Sequence, residues 1–377
     1  MNPVARTALD GTRVSRREGT VGVHGVVYDV SRFRHPGGEV WLKLCSGLDV
    51  TELFESSHLK SYRARHALSR LPVVGTCLAP TYDFDTYARF RARALRTFGS
   101  RKTLPFHGYL RVCAWLLLSL SSLRVLLLGG GGGGWWLAVL AHACANTVLG
   151  GFGHNAVHRL HPFCVFLDWN GLSCFEWLSE HAISHHPHVN TPRDHDAMSM
   201  EPFLRWIPWR KGGWLGDAQS SPWRHGVYAI SEPIVALLGS CVHCTRWKAC
   251  RFGAPWWMAA APLLFVARVC VHVWAGALVS LLASLSLSGY FFAFLAHKSH
   301  AEVHPPSSDF LTQQVRNTTD LDPPTTWTPP DVLLFLDRQR LHHLLPTVDH
   351  LRLREVGSPP PHSPRIRVRA GKGRAHP

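Results

Sequence analysis

Histidines carry most of the chemistry that this chain can perform. There are 25 of them, and several occur in groups with the spacing of metal ligands. The groups are His154 with His158, His181 with His185 and His186, and His342 with His343 preceded by Gln339. Imidazole is a good ligand for iron. Zinc is the alternative, but this many histidines exceeds the four ligands that zinc usually takes.

The spacing within each group indicates which histidines can share a metal ion. Residues four apart lie on one face of a helix, so His154 and His158 can bind one ion. His181 and His185 share a face in the same way, and His186 points about a quarter-turn away, towards a second ion. At this histidine frequency about two His-His pairs are expected by chance. The order and the position of the groups along the chain therefore carry the interpretation.

A separate candidate site lies near the N-terminal end of the chain. The segment His35-Pro36-Gly37-Gly38 puts a histidine on a tight turn, and His58 follows 23 positions after His35. A haem iron held by two imidazoles needs two histidines on opposite sides of an apolar slot. The stretch from Val27 to Gly75 resembles the cytochrome b5 domain. That resemblance implies haem b with His35 and His58 as the axial ligands; His66 is the rival second ligand, and a haem-free relative is the alternative.

The distribution of apolar residues predicts the elements that position these histidines. Five regions follow in order: a flexible arm at 1–20, a compact domain at 21–78, a basic connector at 79–108, a membrane domain at 109–356 and a disordered tail at 357–377. In the connector, Tyr87, Phe90, Ala94 and Phe98 fall on one face among arginines. This pattern predicts a basic helix that lies against a membrane surface.

Four apolar runs approach the length that crosses a bilayer. They are 109–128, 135–152, 255–274 and 276–296. A buried soluble hairpin is the alternative for the first two. The predicted fold is therefore a small α+β cytochrome b5-like domain followed by a mainly α-helical membrane domain, with about four transmembrane helices and a cytosolic cap that carries the histidine groups.

The charge distribution indicates the partners and the sidedness. The formal net charge is +15, which favours either nucleic acid or an anionic membrane face. No zinc-finger spacing or aromatic-basic repeat points to nucleic acid, so the membrane is the expected partner. Lysines and arginines concentrate outside the short turns between paired spans, which predicts that the N-terminus, the middle segment and the C-terminus all face the cytosol.

The histidine groups behind a cytochrome b5-like domain resemble the front-end acyl-lipid desaturases over about residues 21–356. Gln339 is the most discriminating residue, and the context includes Asn190–Asp196 and Gln314. The resemblance implies two non-haem irons, a fatty acyl substrate, O2 and electrons from NADH-cytochrome b5 reductase that pass through the haem. It also implies a haem domain that swings against the membrane face, a cis double bond as product and an endoplasmic reticulum location.

The resemblance further implies the identity of the iron ligands. They are His154, His158, His181, His185, His186, His342, His343 and one histidine after the last span. His297 fits that last role best and His300 is the runner-up, while Gln339 is a possible further ligand. The remaining candidates are expected to be ordinary histidines: His161, His188, His195, His304 and His350.

The chain also departs from the desaturase pattern. We call the three sets the first box (His154 and His158), the second box (His181, His185 and His186) and the third box (Gln339, His342 and His343). The first box has Asn155 where Asp is common, and the second box has three residues between His181 and His185 where two are usual. That longer spacing also resembles the alkane hydroxylases, so a hydroxylase on the same iron core is the first alternative. A membrane haem electron carrier without catalytic activity is the second.

Overall fold

The computed structural model describes residues 14–15, 17–78, 82–99, 103–129, 132–201, 203–204, 223–243, 249, 251–302, 304–323 and 328–357. Most of the predicted N-terminal arm and nearly all of the predicted disordered tail lie outside these residues.

The N-terminal domain is a three-stranded antiparallel sheet with short helices. The strands are β1 (Thr20–Val23), β2 (Val26–Asp29) and β3 (Val73–Thr76), in the order β1-β2-β3. Both residues of the β1–β2 turn, His24 and Gly25, have positive φ, which matches the twist of a two-residue hairpin. The helices are α1 (Glu39–Leu44), α2 (Thr51–Ser57) and α3 (Ser61–Leu68). The α+β prediction is confirmed.

The connector contains the predicted helix, α4 (Asp85–Phe98), but its apolar face does not lie on a membrane surface. Tyr87, Phe90 and Ala94 are buried in a cluster that includes Phe310 and Val348 from distant parts of the chain. An amphipathic helix needs an apolar partner, and here another part of the protein supplies it. The prediction that this face contacts lipid is therefore wrong.

The first pair of long helices coincides with the first two predicted spans, and both helices are long and apolar enough to cross a membrane. They are α5 (Phe106–Leu127) and α6 (Gly133–Val157). Helix α6 is the central one, since 72% of its most apolar window is buried against 22% for α5. Its C-terminal half contains Gly151 and Gly153, where an added Cβ would lie 3.2 Å from Leu334 and 3.1 Å from Leu167. Glycine therefore lets neighbouring segments pack closely beside the first histidine box.

Short helices and one long helix follow the first pair. They are α7 (Val165–Trp169), α8 (Cys174–Trp177), a π-helix (Leu178–His185), α9 (His186–His188) and α10 (Trp223–His243). Helix α10 lies within a segment that the sequence indicated only as polar. It packs along the last long helix, where Gly289 leaves room for the buried Glu232.

The second pair coincides with the remaining predicted spans. It comprises α11 (Trp256–Ala260) with α12 (Leu263–Trp274), and then α13 (Leu278–Ser299). Arg268 in α12 is buried and donates to the backbone carbonyl of Trp169 at 2.9 Å, beside His142 at 3.2 Å. A charge at this depth is expensive unless it faces protein, and this one does.

The C-terminal part returns to the end of the long helices that carries the histidines. Its helices are α14 (Phe310–Arg316), α15 (Gln339–Leu344) and α16 (His350–Leu353). The short turns after α5 and α12 lie at the opposite end, where a cavity of about 420 Å³ is lined by residues of both turns.

Candidate metal centre and haem slot

Eight buried histidines form two adjacent groups, each with ligand atoms within 4.8 Å of one another. The larger group comprises His154, His158, His181, His186 and His342. The smaller group comprises His185, His300 and His343. Among the described residues, all three histidine boxes thus meet at one place in the fold.

Five elements bring these groups together. His154 and His158 lie at the C-terminal end of α6, and His300 follows the C-terminal end of α13. The π-helix and the start of α9 carry the second box, and α15 carries the third. Helices α6 and α13 finish at the same end of the bundle. The first box at the end of α6 and His300 after α13 can therefore meet there.

The second box is grouped differently from the α-helical expectation. His181 and His186 belong to the larger group, and His185 belongs to the smaller one. The reason is the π-helix, in which hydrogen bonds run from residue i to residue i+5. Two residues five apart then lie one above the other, as residues four apart do in an α-helix. His181 also lies near His185 and Asp196 in a mixed group.

His300, rather than His297, lies among the other histidines. Its Nε2 is 3.0 Å from the side-chain nitrogen of Gln339, and its ring centre is 4.6 Å from that of His185. His297 sits three residues earlier on α13, where its Nδ1 contacts the Tyr228 hydroxyl. This placement favours His300 over His297 for the role of the histidine after the last span. The sequence could not rank the two, because the end of α13 sets which histidine faces the site.

Carboxylates and amides orient the ring nitrogens of the groups. His181 Nδ1 lies 2.6 Å from Asp196, and His185 Nδ1 lies 2.9 Å from Asp194. Gln314 accepts from Nδ1 of His343 at 3.0 Å. Such partners fix the tautomer and leave the other ring nitrogen for a metal. Asp194, Asp196 and Gln314 belonged to the context of the resemblance, yet no sequence rule assigned them these contacts.

His350 has a place beside the groups that the sequence did not indicate. It is buried, and its Nε2 lies 2.7 Å from Nδ1 of His342. The other nitrogen of His342 lies 3.1 Å from Nε2 of His154. His350 therefore orients a member of the larger group from outside it. The remaining expected ordinary histidines lie outside both groups: His161, His188, His195 and His304.

Burial controls the protonation of the histidines. It lowers the pKa of His186 and His343 well below the ordinary value, with neighbouring histidines adding to the effect. It also lowers the pKa of His300 to about 3. Burial alone would lower the pKa of His185 as well, but the Asp194 carboxylate outweighs it and raises that pKa. Most of the rings are therefore neutral, and a metal requires that form of the ligand.

The arrangement fits metal ions. Nε2 of His181 lies 2.8 Å from Nε2 of His154 and 3.0 Å from that of His186. Neutral rings can place only one proton between two such nitrogens. His158 Nε2 and His343 Nε2 are buried without a hydrogen-bond partner. Buried polar atoms are rarely left so, and cations at the two groups would satisfy them.

The haem slot lies in the N-terminal domain, between the turn at His35 and the end of α2. The ring centres of His35 and His58 are 5.9 Å apart. Metal–imidazole bonds are about 2 Å long, so an iron fits between the two rings. His58 Nδ1 donates to the carbonyl of Phe54 at 2.8 Å, which leaves Nε2 for the iron. The rival, His66, is exposed on α3.

The comparisons with known proteins agree with these two sites. Residues 14–78 match the family described as "Cytochrome b5-like Heme/Steroid binding domain", and residues 133–359 match the family described as "Fatty acid desaturase". The fold and the site define a membrane oxidoreductase rich in buried histidines, with a cytochrome b5-like domain at its N-terminal end. The chain belongs to the fatty acid desaturase family.

The matches to curated relatives extend over most of this chain and most of each relative. A "Cytochrome b5-related protein" of Drosophila melanogaster is 25% identical over 88% of this chain and 79% of its own. An "Acyl-lipid (7-3)-desaturase" of Diacronema lutheri is 26% identical over 89% of this chain and 82% of its own. A "Probable Delta(5) fatty acid desaturase C" of Dictyostelium discoideum is 24% identical over 81% and 72%. No solved structure matches.

Proposed function

We propose that this protein is a front-end acyl-lipid desaturase that uses O2 and electrons from its own haem domain to introduce a cis double bond. The observation that carries this proposal is the pair of buried histidine groups at one end of apolar helices, directly beside a cytochrome b5-like domain. The relatives named as (7-3)- and Delta(5)-desaturases support an acyl lipid as the substrate class.

We assign haem b to His35 and His58, and two non-haem irons to the two histidine groups. His154, His158, His181, His186 and His342 hold one iron, and His185, His300 and His343 hold the other. When bound, the metals supply the activation of O2 that an unactivated C–H bond requires. Two electrons, two protons and O2 remove two hydrogens from the acyl chain and leave as two waters.

The protein contributes orientation and exclusion of water. Asp194 and Asp196 fix the second box, Gln314 fixes the third, and His350 supports His342. All eight histidines of the two groups are buried, so reactive species are shielded from solvent. We place the histidine end and the haem domain on the cytosolic side of the endoplasmic reticulum membrane, with NADH-cytochrome b5 reductase as the electron donor.

The hydroxylase alternative rested on the longer second box. The π-helix weakens it, because the extra residue is absorbed within the helix and both histidine groups still form. The electron-carrier alternative does not explain why eight buried histidines converge, since burying so many polar side chains is costly without metals.

Expression in yeast with a panel of fatty acids, followed by mass spectrometry of the lipids, tests the proposal. New cis-unsaturated products are the expected result. Hydroxylated products would instead favour the hydroxylase. A haem-loaded protein that yields no product from any fatty acid or sphingoid base would favour the carrier.

A further inference from the structure

The haem domain is docked on the histidine end of the membrane domain through the residues that flank one haem ligand. Before His58, the carbonyl of Ser57 accepts a hydrogen bond from the Thr347 hydroxyl at 3.3 Å. Thr347 lies four positions after His343 of the third box. We name residues 344–348 the post-box segment.

The residue on the other side of His58 contacts the same segment. Leu59 is buried in an apolar cluster that includes Leu344, Leu345 and Val348. Both chain neighbours of this haem ligand are therefore tied to the post-box segment, Ser57 by a hydrogen bond and Leu59 through a shared apolar cluster. A path from His58 to His343 therefore runs through Ser57, the hydrogen bond to Thr347 and the chain between Thr347 and His343.

A buried joint between the domains holds this contact in place. Arg91 of α4 donates to the Glu55 carboxylate of α2 at 2.6 Å and to the Glu55 carbonyl at 2.7 Å. Tyr87, one turn earlier on α4, donates to the carbonyl of Leu344 at 2.8 Å. Helix α4 thus forms hydrogen bonds to both α2 and the post-box segment. Glu55 also pairs with His24 at 2.8 Å and Arg65 at 2.7 Å within its own domain, so Arg91 is the partner that ties this buried carboxylate to α4.

The opposite side of the haem slot is also in contact with the membrane domain. At Gly38, three residues after His35, an added Cβ would lie 2.7 Å from Leu160, which follows the first box. Val40 and Leu44 of α1 share a core with Val157 at the end of α6. Both haem-ligand turns are therefore packed against segments that follow histidine boxes.

We propose that the haem domain delivers electrons from this docked position, and that they cross from the His58 segment to the post-box segment at Ser57 and Thr347. This inference rests on the proposed function. In each step one electron leaves the haem, which is oxidised, and one metal ion of the histidine groups is reduced. NADH through its flavoprotein reductase restores the haem, and O2 is the final oxidant. Arg91, Tyr87 and Thr347 are positioning residues, and a swing of the domain is not required.

A cross-link between the domains tests the docked position directly. An added Cβ at Gly253 would lie 3.7 Å from the Cβ of Glu39 on α1. This distance suits a disulfide, and both positions lie outside the proposed crossing. Glu39→Cys combined with Gly253→Cys should therefore form a bond that locks the haem domain in place. The two single-cysteine variants are the matched controls.

The measurement is the rate of haem reoxidation in the full-length protein. The haem is reduced anaerobically with NADH and cytochrome b5 reductase, which leaves the disulfide intact. The protein is then mixed with O2 and an acyl substrate in a stopped-flow spectrometer, and a His185→Ala variant gives the background of direct haem oxidation. The locked protein should reoxidise within about twofold of the rate after the disulfide is opened, since locking removes no productive state.

Two results would overturn the docked position. One is a locked rate that falls at least about tenfold and recovers when the disulfide opens, because the domain would then have to move. The other is a double variant that does not cross-link under oxidising conditions although the Gly253→Cys single variant, which places a side chain at a φ of +72°, folds and binds haem like wild type, since the domain would then not rest where the structure has it.

Single substitutions test the joint and the crossing. Arg91→Met should slow haem reoxidation about tenfold, because it removes the two hydrogen bonds from α4 to Glu55 and so weakens the docked position, while Glu55 keeps His24 and Arg65 within its own domain. Arg89→Met changes an exposed arginine of the same helix and should not slow reoxidation.

Thr347→Val should slow reoxidation and Thr347→Ser should restore it, with the haem spectrum and iron content unchanged in both. Equal rates in Arg91→Met, Thr347→Val and wild type would refute the crossing.

Failure of this inference can be told apart from failure of the proposed function. If wild type makes no unsaturated product, the function is wrong whatever the rates are. If wild type makes product and the locked protein stalls, only the docked route is wrong.

Discussion

The haem slot and the metal centre differ in how far apart along the chain their ligands lie. His35 and His58 belong to one small domain and are separated by a turn and two short helices. The eight histidines of the metal centre extend from His154 to His343 and meet only when α6, the π-helix, α13 and α15 pack together. A local site is built with its domain, whereas the metal centre depends on the whole membrane fold. Loss of a ligand at one site should therefore leave metal binding at the other site unchanged.

The largest effect is expected from removing a metal ligand. His185→Ala should abolish the unsaturated product and lower the iron content, because His185 is one of only three histidines in the smaller group. Lipid analysis and metal analysis measure both effects. The haem spectrum should stay intact. Product formation at the wild-type level would refute the assignment of His185.

The reciprocal change removes a haem ligand. His35→Ala should abolish the haem spectrum, since one of the two imidazoles that face the slot is lost. The non-haem iron content should not change, because the metal centre takes no ligand from this domain. Absorption spectroscopy and metal analysis together check this. An unchanged haem spectrum would exclude His35 as a ligand.

The end of α13 offers a matched pair of histidines. His300→Ala should lower iron binding strongly, whereas His297→Ala should leave most of it, because only His300 lies in the smaller group. Iron content of the two purified variants decides between them. The opposite order would restore the preference that the sequence gave to His297.

An orienting carboxylate should matter less than a ligand. Asp194→Asn should reduce activity or metal affinity by about 10- to 100-fold, because Asp194 holds His185 and also accepts from the backbone N–H of Asn190. Asp196→Asn should have a smaller effect, since the Asp196 side chain is 31% exposed. Iron titrations of both variants test this order, and a larger loss in Asp196→Asn would contradict it.

The smallest effect is expected at the joint between the two regions, as a function of pH. Burial would raise the pKa of Glu55, but hydrogen bonds from His24 and Arg91 outweigh it and lower that pKa to about 2, from 4.5. The folded-state pKa is depressed, so the ion pair stabilises the protein fully above about pH 4.5 and is lost as the pH falls towards 2. The contribution should be about 1–3 kcal/mol. Thermal unfolding in detergent, compared between wild type and Glu55→Gln from pH 3 to 7, measures it; a pH-independent difference would contradict it.

The sequence predicted the local features well. The turn at His35, the four spans and the three boxes depend on short patterns, and the structure places them as expected within a few residues. The features that the sequence did not predict depend on contacts between distant segments. The burial of Tyr87 against Phe310, the choice of His300 and the contact of His350 with His342 all require the folded chain.

The π-helix has a consequence for how such proteins can change over time. A codon gained inside a helix normally rotates every later side chain away from its partners. Here a single widened turn confines that rotation to residues 178–185, and the following histidine keeps its place. A box that is longer by one residue is therefore compatible with both histidine groups. Surveys that demand a fixed number of residues between the histidines would discard genes with such a box, although their centres are complete.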